Sequence, residues 1–373
     1  MTLGLFGFLS AIIGAWTAMN WYAFRNLAAM GLDRGALIPI IWALALTFPF
    51  MRLSTLKWSH PILRALYWVG AIWMGSAFLL SFWFLISSGL RHLLWAAGLG
   101  AAGHALLWIR ITAAGVVAMI ALGLLRALKG PRDVHYQIDH SARYGKGRRV
   151  RIAQISDVHL GLALGTDFLR GLVERINRLE PDLVFITGDL FDPEFPDDKA
   201  AAAILATLAP KQGTFAVSGN HEFYAGLGRF LAMMEAAGIP VLDNEMRRTG
   251  TGLQICGIHD QTAHRFASLG VACDLGKALR DIDHDMPSFL LAHQPKELEP
   301  AAAKRVDLIF SGHTHAGQIF PFRMVVRMAY RYVSGRYDLG SGTDLIVNTG
   351  TGFWGPPLRV GTHSQIVVAE FAY

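Results

Sequence analysis

The chain has 373 residues, 53% of them hydrophobic, with a formal net charge of +6 and a mean hydropathy of +0.35. That is too apolar for an ordinary soluble domain and too polar for a protein built only of membrane spans, so a membrane part joined to a globular part is expected. Two cysteines, Cys256 and Cys273, exclude a disulfide framework, and the basic balance points to anionic headgroups or phosphorylated substrates rather than nucleic acid, for which no module signature is present.

The apolar excess lies in the first third. Thr2 to Phe24 carries no charge and is long enough to cross a hydrocarbon core of roughly 30 Å. No basic stretch precedes it and no small-residue cleavage site follows, so it reads as a retained anchor. Gly35 to Met51 and Ala65 to Leu90 are two further uncharged runs, the latter with Trp68, Trp73 and Trp83. Ala105 to Arg126 is taken as the fourth span, with Arg110 near one end and Gly98, Gly100 and Gly103 in the preceding loop. These helices define a transmembrane domain over residues 1–128, followed by a polar linker over 129–147. Four spans leave both termini on one side. Arg52, Lys57 and Arg64, with Arg126, Lys129, Arg132, Lys146, Arg148, Arg149 and Arg151, place that side in the cytoplasm by the positive-inside rule. A bacterial inner-membrane protein with a cytoplasmic globular domain is expected.

From Arg148 the pattern changes. Apolar, β-prone runs at Val150 to Ile155, Leu183 to Thr187, Thr214 to Val217, Phe289 to Ala292 and Leu308 to Ser311 alternate with helical segments at Asp167 to Leu179, Asp198 to Leu208 and Leu227 to Ala237. Leu345 to Asn348 and Gln365 to Phe371 read as closing strands. This alternation predicts an α/β domain over residues 148–373.

Each of the first five runs ends in a polar motif. In order they are Asp157-Val158-His159, Gly188-Asp189, Gly219-Asn220-His221-Glu222, His293 and Gly312-His313-Thr314-His315. Groups at strand C-termini can converge on one crevice. Residues two apart on an extended chain face the same way, so Asp157 with His159, and His313 with His315, can each present two donors to one point. Asp189 could bridge two cations and Asn220 offers an amide oxygen. Mixed His, Asp and Asn donors without thiolate suit Mn²⁺, Fe or Zn²⁺, with Mn²⁺ the first choice. His293 alone would read as structural, and gains a ligand reading from its company. His259, beside Asp260, is left structural, as are His92, His104, His264, His284 and His363. Asp192 and Glu222 are either acceptors that orient ligand imidazoles or solvated loop carboxylates.

The five motifs in this order resemble the calcineurin-like metallophosphoesterase family, over Arg148 to Tyr373. The resemblance implies a double β-sheet sandwich flanked by helices and a two-metal hydrolytic site. One metal would be held by Asp157, His159, Asp189 and His315, and the other by Asp189, Asn220, His293 and His313. His221 would be the catalytic residue at the leaving-group oxygen. The stretch Gly312 to Gln318 is similar to the membrane-anchored bacterial branch, some of whose members cleave UDP-2,3-diacylglucosamine, a lipid A precursor.

Phe320 to Tyr332 carries Arg323, Arg327 and Arg331 four apart, so a helix would line them on one face with Met324, Val325, Met328 and Tyr332 on another. It reads either as a lipid-facing element or as an ordinary packed surface helix. Phe223, Tyr224 and Trp354 either flank the site or fill the core. The functional expectation is a membrane-anchored phosphohydrolase acting on a phosphorylated lipid or nucleotide-lipid. The alternatives are a phosphodiesterase for a soluble substrate and a non-catalytic metal-binding membrane scaffold.

Overall fold

The computed structural model describes residues 2–53, 61–99, 104–145 and 147–373, in two compact units. Lys57, Gly100, Gly103 and Lys146, used in the topology and loop readings, lie outside the described residues.

The first unit is helical: α1 (Thr2–Ala28), α2 (Arg34–Leu53), α3 (Pro61–Ala96) and α4 (Ala105–Leu128). Among the described residues, Arg34–Met51, Ile62–Ala96 and Ala105–Leu128 are long and apolar enough to cross a membrane. Helix α3 continues through Gly89 past the expected end at Leu90 and stops at Ala96, shortly before Gly98, which adopts φ +76°. Buried polar groups find partners inside the unit. Trp73 Nε1 donates to Asn20 Oδ1 at 2.9 Å, and Ser81 Oγ donates to the Met19 carbonyl at 2.8 Å.

The second unit holds eleven strands among the described residues: β1 (Arg132–Asp139), β2 (Arg149–Ile155), β3 (Leu183–Thr187), β4 (Thr214–Val217), β5 (Glu245–Arg248), β6 (Gln254–Gly257), β7 (Ser288–Leu291), β8 (Leu308–Ser311), β9 (Gly335–Asp338), β10 (Asp344–Val347) and β11 (Gln365–Ala372). They form two sheets, ordered β1-β11-β2-β3-β4 and β5-β6-β7-β8-β10-β9. Strands β2, β3 and β4 run parallel in the first sheet, as do β6, β7, β8 and β10 in the second. Strands covered on both faces need apolar residues at every position, which is why these runs read as continuous rather than alternating.

The sheets face each other across one core. Phe185 on β3 meets Phe310 on β8 at 5.1 Å between ring centroids, and Phe289 on β7 meets Phe371 on β11 at the same distance. Helices Thr166–Arg178, Asp198–Leu205 and Leu227–Ala236 cover the outer face of the first sheet, through Leu169, Ile176, Leu205 and Phe230. Leu275–Ala278 and Glu299–Ala303 supply cover for the second. The double sandwich flanked by helices is therefore present.

The stretch 129–147, expected to be a linker, instead carries β1, which pairs in parallel with β11 along its whole length. Its Val134, Tyr136 and Ile138 are less exposed than the intervening His135, Gln137 and Asp139. One polar face on an edge strand made it look like a tether.

His140 follows β1 and ties the first sheet to the second. Its Nδ1 lies 3.1 Å from Asp307 Oδ1 and its Nε2 3.3 Å from Asp344 Oδ2. Arg143, Tyr144 and the Ser288 amide also donate to Asp307, and Arg336 donates to Asp344. Burial opposes a charged ring here, but the two carboxylates outweigh it and raise the His140 pKa to about 9. A folded-state value above the unfolded one of about 6.5 means this stabilisation is complete below pH ~6.5 and lost as pH rises through about 9. The wild-type chain is expected to lose about 2–3 kcal/mol of stability over that window. Thermal unfolding recorded across it should show a slope that His140→Asn flattens.

Candidate metal centre

The crevice lies where the C-terminal ends of β2, β3 and β4 meet those of β7 and β8. Each expected ligand sits just past a strand end: Asp157 and His159 after β2, Asp189 after β3, Asn220 after β4, His293 after β7, and His313 and His315 after β8. The structure brings all seven together.

Two groups form around one carboxylate. In the first, His159 Nε2 lies 3.1 Å from His315 Nε2, and His315 Nε2 lies 3.3 Å from Asp157 Oδ1. In the second, His293 Nε2 lies 3.2 Å from Asn220 Oδ1 and 3.2 Å from His313 Nδ1. Asp189 Oδ2 reaches both, at 3.8 Å from His159 Nε2 and 3.2 Å from His293 Nε2.

The tautomers follow from the outer partners. His159 Nδ1–H donates to Asp192 Oδ1 at 3.0 Å, and His293 Nδ1–H donates to the Thr187 carbonyl at 2.8 Å. In their neutral form both rings therefore turn Nε2 lone pairs inward, toward carboxylate, amide oxygen and other imidazole nitrogens. So many acceptors at hydrogen-bond range in a buried site repel one another unless positive charge lies among them. The titration behaviour shows the same demand. Burial disfavours a charged His293, yet Asp189 holds its pKa well above the usual imidazole range. Burial likewise works against ionised Asp189, and His293 and His221 hold it well below the usual carboxylate range. The donor set fits two divalent cations with oxygen and nitrogen preferences.

The backbone explains how these donors converge, and it is not the extended geometry expected for the two His-containing pairs. Asp157, His159, Asp189, His313 and His315 all have left-handed backbone, with φ between 49° and 67°. Such conformations cost on the order of 1–3 kcal/mol each and persist only where surroundings impose them. Here the imposition is visible. The Asp157 carboxylate accepts the His313 amide at 3.0 Å, and the Asp189 carboxylate accepts the His221 amide at 2.8 Å. At Gly188 (φ +86°) a side chain would strike the Gly219 amide at 2.5 Å, so the turns after β3 and β4 can close only on glycine.

The two acids near the ligands have different roles. Asp192 does orient imidazoles: it accepts from His159, and its Oδ1 also lies 2.7 Å from His221 Nδ1. Burial opposes its charge, but His159 and His221 hold its pKa well below the usual range. Glu222 is neither an imidazole acceptor nor a solvated carboxylate. It is buried and accepts from the amides of Gly219 at 2.6 Å, Asp189 at 2.9 Å and Leu190 at 2.8 Å, which locks two ligand turns together. Burial, then the nearby Asp189 charge, raises its pKa to about 7.

His221 packs edge-on against His159 at 4.6 Å, Tyr224 at 5.6 Å and Trp354 at 5.9 Å between centroids. Burial opposes its charge, but Asp189 and Asp192 raise its pKa to about 9. Tyr224 and Trp354 are half exposed at 49% and 48%, whereas Phe223 is buried in the core. His259 is buried with Nδ1 2.9 Å from Ser218 Oγ, as a structural histidine should be.

One participant has no sequence signal. His313 Nε2–H donates to Tyr330 Oη at 2.8 Å, and Tyr330 O–H donates to Gln294 Oε1 at 2.9 Å. Gln294 Nε2 donates in turn to both Asp260 oxygens, at 3.1 and 2.9 Å. This chain fixes the His313 tautomer with Nδ1 facing the second group. Only the adjacency of Gln294 to His293 could have hinted at it. Removal of such a partner typically weakens metal affinity 10- to 100-fold. Tyr330→Phe is therefore expected to weaken one of two Mn²⁺ binding events by about that factor, and a calorimetric titration of the metal-stripped protein checks it.

A family model described as calcineurin-like phosphoesterase matches residues 150–317. An uncharacterized metallophosphoesterase from Helicobacter pylori is 39% identical over 220 residues, covering 59% of this chain and 59% of that protein, so the match spans under two thirds of the relative's length. A Danio rerio protein named as a transmembrane protein with a metallophosphoesterase domain is 33% identical over 261 residues, covering 67% of this chain and 60% of its own. An uncharacterized metallophosphoesterase from Aquifex aeolicus is 34% identical over 224 residues, 60% of this chain and 85% of that protein. Sandwich, ligand order and these likenesses agree, and the chain belongs to the calcineurin-like metallophosphoesterase family.

Proposed function

We propose that this protein is a membrane-anchored, two-metal phosphohydrolase. The observation that carries the proposal is the single carboxylate of Asp189 set between two groups of inward-facing donors. Asp157, His159, Asp189 and His315 would hold one divalent cation, and Asp189, Asn220, His293 and His313 the other. Mn²⁺ is the first choice, with Fe or Zn²⁺ compatible with the same donors. Bound there, divalent cations would supply positive charge for the phosphoryl oxygens and would acidify a water.

His221 is the catalytic side chain. Asp192 Oδ1, 2.7 Å from Nδ1, orients the ring, so that His221 can donate a proton to the leaving oxygen as the P–O bond breaks and water oxygen joins phosphorus. Asp192 holds both His221 and the ligand His159. Tyr224 and Trp354, each half exposed, pack against the His221 imidazole.

A lipid-linked substrate such as UDP-2,3-diacylglucosamine is the preferred reading. It is supported by three helices apolar enough to span a membrane and by the exposed apolar helix Phe322–Ala329, whose C-terminal neighbour Tyr330 touches His313. With the expected span at Thr2 to Phe24 as a fourth, the domain would then face the cytoplasm from a bacterial inner membrane, following the distribution of basic residues.

Purified full-length protein with Mn²⁺ in mixed micelles should hydrolyse UDP-2,3-diacylglucosamine faster than a soluble diester such as bis(p-nitrophenyl) phosphate. His221→Ala should lower kcat by about 10²–10⁴-fold while the metal content stays at wild-type level. Loss of metal together with activity in that variant would instead make His221 a ligand. Equal or better turnover of the soluble diester would move the substrate away from lipids and keep the metal chemistry.

A further inference from the structure

The helix expected from the three spaced arginines is shorter and turned the other way from an ordinary surface helix. It covers Phe322–Ala329, so Arg331 lies beyond its end, and Arg323 and Arg327 alone share it. None of its residues is buried. Met324, Val325 and Met328 fall within one third of its circumference, and they are 63%, 56% and 88% exposed. The opposite side turns inward: Arg323 and Val326 are half-buried, and Arg323 Nη2 donates to Ser334 Oγ at 3.0 Å. A helix packed on its own domain does the reverse, hiding its apolar stripe and showing its charges.

The outward apolar face is held in place by both ends of the helix. At the N-terminal end the backbone at Arg323 lies so close to Gly317 (φ +77°), in the loop of His313 and His315, that no side chain fits there. At the C-terminal end Tyr330 leaves the helical conformation, with φ −127° and ψ 124°, to reach His313. The loop that carries two expected ligands thus fixes which face the helix presents.

We propose that this helix is an interfacial element that seats on an anionic bilayer surface. Met324, Val325 and Met328 would enter the acyl region, and the exposed Arg327 and Arg331 would meet lipid phosphates at the headgroup level. A bilayer is the occupant because an apolar face bordered by guanidinium groups matches acyl chains bordered by phosphates. The same chain also carries, among the described residues, three helices long and apolar enough to cross a membrane. Methionine suits a fluid partner, being flexible and indifferent to exact shape.

The test uses the full chain reconstituted in nanodiscs. An environment-sensitive fluorophore is placed at Met328→Cys in a Cys273→Ser background, since Cys256 is fully buried. A label at Glu235→Cys, an exposed position on another helix, serves as the aqueous reference. Discs contain brominated acyl chains in either phosphatidylcholine alone or phosphatidylcholine mixed with phosphatidylglycerol. The Met328 label should be quenched well beyond the Glu235 label in the anionic discs. Arg327→Gln and Arg331→Gln should each reduce the docked-to-undocked ratio about fivefold, the effect expected of one arginine at an anionic surface. A Met328 label no more quenched than the reference in anionic discs overturns the proposal. Quenching equal in both lipids and indifferent to the arginines overturns the commitment to an anionic surface.

Discussion

The structure depends on one electrostatic problem: a buried crevice filled with electron pairs. Asp189 places a carboxylate between imidazoles whose outer nitrogens are already committed, those of His159 to Asp192 and of His293 to the Thr187 carbonyl. The inner nitrogens cannot satisfy one another. Positive charge is favoured there, as the raised pKa of His293 shows, and two groups of candidate donors share the Asp189 carboxylate. The rest of the domain either brings these groups together or keeps them from relaxing apart.

The bringing together is done by two sheets whose parallel strands end along one edge. The aromatic layer of Phe185, Phe289, Phe310 and Phe371 makes the sandwich stiff where the loops leave it. The keeping apart from relaxation is done by short-range devices. Left-handed turns at five candidate-ligand positions, the glycine contact between the β3 and β4 turns, and Glu222 bound to three amides each remove freedom from a loop. Strain held this way keeps the candidate donors in one arrangement.

How far this could be read from sequence differs by feature. The strands that carry ligands were legible because parallel strands covered on both faces need unbroken apolar runs, and the polar motif after each run stood out against them. The order of motifs gave the family and the set of residues that the fold brings together. Strand β1 was hidden because an edge strand keeps one polar face, and its charges resemble a tether. The route by which Asp157 and His159 converge was hidden too, since nothing in a two-residue spacing distinguishes an extended chain from paired left-handed turns. Tyr330, Gln294 and Asp260 are distant in sequence and meet only after β6, β7 and β8 have assembled, so their relay leaves no local pattern. The helix at Phe322–Ala329 showed its amphipathicity plainly, but periodicity does not say which face looks outward. That was decided by Gly317 and Tyr330.

Whether Asp189 joins two metal sites can be read by electron paramagnetic resonance of the Mn²⁺-loaded protein. Two ions within roughly 4 Å and bridged by a carboxylate should give an exchange-coupled spectrum at two equivalents of metal, replaced by isolated-ion signals in Asp189→Ala. A wild-type spectrum of a single uncoupled ion at saturation, or coupling that survives in Asp189→Ala, would contradict the account.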